Sequence, residues 1–280
     1  MSKVAIMQGR LGPPEDGRFQ SFPLTRWREE FPAAASAGLD AIEWIYDEYG
    51  RTGNPITSEA GLHEIHVLSE KHNVAVVSLC ADYFMDHPIV RASEEGRARL
   101  VDHFDWLISS CSKVGISRIV IPFVDQSRIS GQQDETIVVD YVSSILPVAE
   151  RYGIELHLET DLAPALFAAL LRRLPNKWVK VNYDSGNSSS LGYKPEEEFR
   201  AYGDRIGSVH IKDRLFGGGT VPLGEGDADL PSVIRGLREL GYAGDYVLLV
   251  ARGESGSEVE WTKHNIAYLS DLLQSPERTV

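Results

Sequence analysis

Three apolar stretches, each ending in a polar residue that can do chemistry, constrain this chain more than any other feature. Ser208-Val209-His210-Ile211-Lys212-Asp213-Arg214 alternates His210 and Lys212 with Val209 and Ile211, as a strand does when one face is buried and the other carries chemistry. Upstream, Ile154-Glu155-Leu156-His157-Leu158-Glu159 closes on Glu159, and Val179-Lys180-Val181-Asn182-Tyr183-Asp184 closes on Asp184. Roughly 25 residues separate each of these polar ends from the next, room for one helix between successive parallel strands. A carboxylate, a carboxylate and an imidazole are therefore expected to converge at one rim of a parallel sheet.

The same alternation runs through the chain. Strands are expected over 3–8, 41–46, 74–80, 118–122 and 246–250, the third an almost continuous apolar run of the kind buried on both sides. Helical spacing of apolar residues starts from Thr25, Thr57 and Ser93, and again over 135–152, 163–174, 195–202, 230–240 and 261–273. Eight βα units in 280 residues of 42% hydrophobic content, with no linker rich in Ser, Pro or Gly, predict a single (β/α)8 TIM barrel spanning residues 1–280. Two loops stand out. Residues 9–24 carry Arg10 and Arg18 among prolines and glycines, and either fold over a site or decorate the surface. The glycine-rich segment 215–229 is expected to close over the site as a lid.

A net charge of -13 and a pI near 5.1 disfavour polyanionic partners, so neither nucleic acid nor an anionic membrane is expected. A few arginines in one pocket can still hold a small anion. Cys80 and Cys111 read as small buried apolar side chains, and the start Met1-Ser2-Lys3 leads into strand-like sequence without a long apolar run. With no transmembrane span visible, a cytoplasmic protein is expected, and homo-oligomer formation is left open.

Active sites in such barrels lie where strands end. Two carboxylates and an imidazole there suit a divalent cation such as Mn²⁺, Mg²⁺, Co²⁺ or Zn²⁺ bound by Glu159, Asp184 and His210, with positions left for substrate oxygens; a metal-free polar cluster is the alternative. Glu43 is either a substrate contact or a polar residue inside the barrel. Lys212, Arg214 and Arg252 are candidates to hold an anionic group or polarise a carbonyl. His157, Asn182 and Ser208 form a polar layer two residues earlier on the same strands.

His157-Leu158-Glu159-Thr160, Asn182-Tyr183-Asp184-Ser185-Gly186-Asn187 and Val209-His210-Ile211-Lys212-Asp213, together with Gly241-Tyr242-Ala243-Gly244, resemble the metal-site strands of the xylose-isomerase-like TIM-barrel superfamily. Within it, the chain is most similar to the sugar-phosphate isomerase/epimerase group. The resemblance implies a divalent metal on Glu159, Asp184 and His210, a small sugar or sugar phosphate bound at it, and Glu159 beside the transferring proton as the base. Lys212 is carried as a second catalytic candidate, and Glu43, Asn187, Arg214 and Arg252 as substrate-binding ones.

Two positions depart from the family pattern. Many relatives have Gly-His where this chain has Gly186-Asn187, and the family's last strand usually presents a fourth metal-binding glutamate that is also a base. Aligned on Gly241-Tyr242-Ala243-Gly244, that position is Leu249. The expected activity is isomerase or epimerase, with a lyase or dehydratase acting on a keto-polyol, and a non-catalytic sugar-binding protein, as the alternatives. Asp227, Asp229 and Glu254 are the carboxylates that would have to reach in to replace the missing one.

Overall fold

The computed structural model describes residues 3–275; the chain start at Met1-Ser2 lies outside them. Its strands and helices are β1 Val4–Met7, α1 Glu30–Ala37, β2 Ala41–Ile45, α2 Glu59–His72, β3 Ala75–Cys80, α3 Tyr83–Asp86, α4 Glu94–Ser112, β4 Arg118–Phe123, α5 Gln132–Tyr152 and β5 Glu155–Thr160. There follow α6 Pro164–Arg173, β6 Val179–Asp184, α7 Ser185–Ser190, α8 Pro195–Tyr202, β7 Ile206–Ile211, β8 Asp213–Arg214, β9 Thr220–Val221, α9 Leu230–Glu239, β10 Tyr246–Leu248 and α10 Glu258–Gln274. Eight of the strands close in the order β1-β10-β7-β6-β5-β4-β3-β2, every barrel pairing parallel. This is the (β/α)8 TIM barrel that the alternating pattern predicts.

Local chemistry sets the helix starts. Ser58 and Ser93 accept backbone N–H bonds from Gly61 and Gly96, satisfying donors that a helix N-terminus leaves free. The first helix begins later than its periodicity suggests. Residues 24–29 form turns, and α1 starts at Glu30 with Pro32 in its first turn, where a missing N–H costs nothing. On the outer face of β2, Trp44 packs against Phe22, Trp27 and Phe31 at centroid distances of 5.7, 5.8 and 6.3 Å. Each such pair contributes ~0.5–1.5 kcal/mol beyond simple burial and ties the loop after β1 to the barrel wall.

Two register shifts matter for the site. Between β6 and β7 the pairing steps from Val181↔Ile206 to Asn182↔Ser208, so that Asp184 stands directly beside His210. Between β2 and β3 it steps from Ile42↔Val76 to Glu43↔Ser78. Such irregularities re-aim side chains without breaking the sheet.

Candidate active site

One donor atom from each of Glu159, Asp184 and His210 lies within 4.8 Å of the other two, and all three residues are buried. His210 Nδ1 is 3.5 Å from Glu159 Oε2 and 3.8 Å from Asp184 Oδ2. His210 Nε2 is 2.7 Å from Glu43 Oε1. With its proton held towards Glu43, the imidazole presents Nδ1 to the two carboxylates, the arrangement in which a carboxylate fixes the tautomer of a metal-binding histidine. Asp184 has one oxygen committed, since Oδ1 accepts the Asn187 N–H at 2.8 Å, while Oδ2 faces the cluster. The donor set thus fits a divalent cation.

The surrounding amides and cations hold these groups in place. Glu159 accepts from Asn182 Nδ2 at 2.8 Å on Oε2 and from Asn187 Nδ2 at 2.6 Å on Oε1. Asn187 Oδ1 in turn accepts from Lys212 Nζ at 3.1 Å and Arg214 Nη1 at 2.9 Å. Asn187 is thus an amide hub between Glu159 and two cations. The glycine before it is required by space: a Cβ on Gly186 would stand 2.6 Å from Lys212 Cγ, so only glycine lets the lysine stem pass. Below, the polar layer is fully paired. Ser208 Oγ donates to Asn182 Oδ1 at 2.6 Å, and His157 bridges Ser208 Oγ at 2.7 Å and Glu155 Oε2 at 2.9 Å.

The sequence profile of the xylose isomerase-like TIM barrel family matches residues 31–272. The chain belongs to that family. It is 25% identical over 231 residues to an L-ribulose-5-phosphate 3-epimerase of Escherichia coli, covering 79% of this chain and 81% of the relative. The fold is similar to the IolI protein with a bound zinc atom, with a TM-score of 0.76 at 17% identity over 97% of this chain and 98% of that one. It is also similar to D-psicose 3-epimerase in the presence of D-fructose, with a TM-score of 0.76 at 16% identity over 98% and 100% of the two chains.

In this member of the family the cluster opens into a cavity of about 290 Å³. Glu159, His210, Asn187, Lys212, Arg214 and Leu249 form one side of its lining. The remaining wall comes from the ends of β2, β3 and β4 and from the loop after β1, through Asp47, Asp82, Asp125, Arg18 and Gln20. A larger and more apolar groove of about 510 Å³ runs outside the barrel between α3 and α4; it shares Asp86 with the cavity but is lined by none of Glu159, Asp184 and His210.

Several expectations change here. Glu43 is not part of the cavity wall; it is completely buried behind His210, on β2, as the interior alternative had it. Arg252 is turned away, donating from Nε to Phe19 O at 3.2 Å and from Nη1 to Gly12 O at 3.1 Å, so it anchors the 9–24 loop. Arg10 does likewise through Val250 O and Phe19 O. That loop, not 215–229, reaches over the cavity. Segment 215–229 folds on itself beside the β8–β9 hairpin, where the buried Asp213 carboxylate accepts N–H bonds from Gly224, Gly226 and Ala228. Asp227 accepts from Phe216 N, Asp229 caps α9, and Glu254 lies in a groove with Trp261 and His264, so none of the three lines the cavity. Asp82 and Gln20 were not singled out from sequence as site residues; for Asp82 the available signal was its position just past the end of β3.

The cluster's charges are strongly shifted. Burial and the neighbouring Asp184 push the Glu159 carboxyl up to about 7. Burial opposes ionisation of Asp184 as well, but Lys212 and His210 outweigh it and hold that carboxyl at about 2. For His210, burial disfavours the cation while Glu43, Asp184 and Glu159 favour it, the net result being a rise to about 10. Without a cation the imidazole therefore carries the positive charge that balances the carboxylates. Across the cavity, burial and the charges of Asp47 and Glu43 raise Asp82 to about 6.

Proposed function

We propose that the chain is a metal-dependent isomerase or epimerase of a small sugar or sugar phosphate, with Glu159 moving the proton at the carbon beside the carbonyl. The observation that carries this reading is the placement of Glu159: a buried carboxylate, oriented by the Asn182 and Asn187 amides and clustered with Asp184 and His210, is held at the cavity where a proton can be taken and returned. Glu159, Asp184 and His210 would hold the metal. When bound, the cation would polarise the substrate's carbonyl and hydroxyl oxygens and lower the pKa of the adjacent C–H. Asn182 and Asn187 orient the Glu159 carboxylate, and Glu43 orients His210. Lys212 and Arg214, linked to Glu159 through Asn187, are positioned to bind substrate oxygens on the same wall. The relatives named as 3-epimerases support the reaction class, and all 280 residues are taken as one catalytic domain of a cytoplasmic protein. Among the described residues, no helix is long and apolar enough to cross a membrane.

Leu249 favours a second reading. Its side chain lines the cavity, where the family pattern has a glutamate, so one wall lacks both a metal ligand and a base. Epimerisation ordinarily uses an acid and a base on opposite faces of the carbon, whereas isomerisation on one face, or loss of water, needs only one. The single-base reactions are therefore preferred over conventional two-base epimerisation. Solvent-deuterium incorporation into ketoses incubated with metal-loaded protein tests the whole reading: exchange beside the carbonyl, abolished in Glu159→Gln, is the expected result. Absence of exchange from every ketose and ketose phosphate offered would leave the sugar-binding alternative.

A further inference from the structure

We propose that the ligand of this cavity is an uncharged polyhydroxy ketone, a free sugar and not its phosphate ester, selected by the carboxylates that face Glu159, Asp184 and His210. The inference rests on the proposed ketose chemistry of the site and narrows its substrate class. It is carried by the way charge is divided between the two walls.

A ketose whose reacting carbons lie at Glu159, Asp184 and His210 extends its far end towards the ends of β2, β3 and β4, because β5, β6 and β7 occupy the other half of the barrel. On that far wall stand four aspartates, Asp47, Asp82, Asp86 and Asp125. Asp47 is consumed by the backbone, accepting from Phe22 N at 2.9 Å and Gly50 N at 2.8 Å. Asp82, only 6% exposed, is held by Gln20 Nε2 at 2.7 Å and Cys80 Sγ at 3.0 Å, and so faces the cavity in a fixed orientation. Asp86 and Asp125 are exposed at the mouth, and among the described residues neither carboxylate has a hydrogen bond or ion pair. Asp125 also sits at φ 51, a left-handed backbone setting that few side chains other than Asn, Asp and Gly adopt readily.

Cations offset this wall only behind Asp82, where Arg10 Nη2 donates to Gln20 Oε1 at 3.4 Å and lies within reach of the Asp82 charge; Asp86 and Asp125 have no such neighbour among the described ion pairs. Arg18 is the one Lys or Arg that the loop after β1 contributes to the cavity lining, and its guanidinium lies over the Tyr49 ring at 4.4 Å. Lys212 and Arg214 are on the opposite, metal-binding side and are drawn to Asp184, Asn187 and Gly218. A terminal phosphate dianion on the far end of a ketose would thus meet like charge at short range, while hydroxyl groups would find carboxylate acceptors and the Gln20 amide. Repulsion of this kind selects between two ligands that share every other contact.

The test is calorimetric titration of Mn²⁺-saturated protein with L-ribulose and D-fructose, and with L-ribulose 5-phosphate and D-fructose 6-phosphate, alongside deuterium exchange on the same four compounds. At least one free ketose should bind at least tenfold more tightly than its ester, which is about 1.4 kcal/mol. In Asp82→Asn/Asp125→Asn that preference should shrink several-fold, and Asp125→Asn alone, at an exposed site where Asn tolerates the backbone, should shrink it measurably if the double variant does not fold. An ester binding as tightly as its ketose, a preference unmoved by the variants, or no binding of either ketose would each overturn the proposal. Tight ketose binding without exchange would leave it standing and remove the isomerase reading; exchange on the esters alone would do the reverse.

Discussion

The two halves of the barrel rim use carboxylates in opposite ways. On the β5–β7 side, Glu159 and Asp184 are surrounded by Asn182, Asn187, His210 and Lys212, so every acid has a nearby donor or cation and the group is compact enough for one metal ion. On the facing side, the hydrogen bonds to Asp82 among the described residues come from a glutamine amide and a thiol, with Arg10 behind the glutamine, and Asp86 and Asp125 line the opening. The first half invests its polar groups in fixing a few atoms relative to one another, as chemistry at a single carbon demands. The second leaves acceptors available, which is what recognition of hydroxyl groups demands. Reaction and selection are thus separated across one small cavity.

The sharpest way to break this contrast is His210→Ala. Loss of a direct ligand should reduce divalent-metal affinity by more than the roughly 10–100-fold that loss of a supporting residue costs, as read by metal titration and elemental analysis. Retained stoichiometric metal in that variant would mean that the β5–β7 cluster is a polar network only. Glu43→Ala comes next, with an expected 10–100-fold weakening, because His210 would lose the acceptor that fixes its tautomer. Were Glu43 a substrate contact, ketose affinity would change and metal affinity would not.

Acidity gives a third measurement. Metal binding needs His210 neutral and Glu159 ionised, while the metal-free protein holds their protons up to about 10 and about 7. Raising the pH should therefore tighten metal binding about tenfold per unit above pH 7, through the one proton leaving His210, and more steeply below it, where Glu159 must also lose a proton. An unperturbed histidine would instead level off near pH ~6.5. Leu249→Glu should tighten metal binding by about tenfold, one ligand's worth at a partly solvated site; unchanged affinity would detach Leu249 from the ligand position. The smallest effect belongs to Gln20→Ala, which should alter sugar affinity a few-fold, on the order of one lost hydrogen bond, at constant metal affinity. A fall in metal affinity there would show that the halves are not independent.

Much of the β5–β7 half was legible in the linear chain and little of the other. Alternation along Val209-His210-Ile211-Lys212 assigns each side chain to a face, and the regular spacing of Glu159, Asp184 and His210 puts them at the ends of consecutive strands, because both properties are local consequences of strand geometry. The eight βα units and the parallel order follow in the same way. Periodicity carries no information about how far one strand slides past the next. The register step at Val181 and Asn182 is what brings Asp184 level with His210, and barrel closure is what puts Glu43, 167 residues from His210 in sequence, against its ring. Loops have no periodicity at all. Whether 9–24 or 215–229 reached the cavity was decided by Arg10 and Arg252 binding the carbonyls of the first and by the buried Asp213 carboxylate folding the second back upon itself, contacts that exist only once distant segments are packed together.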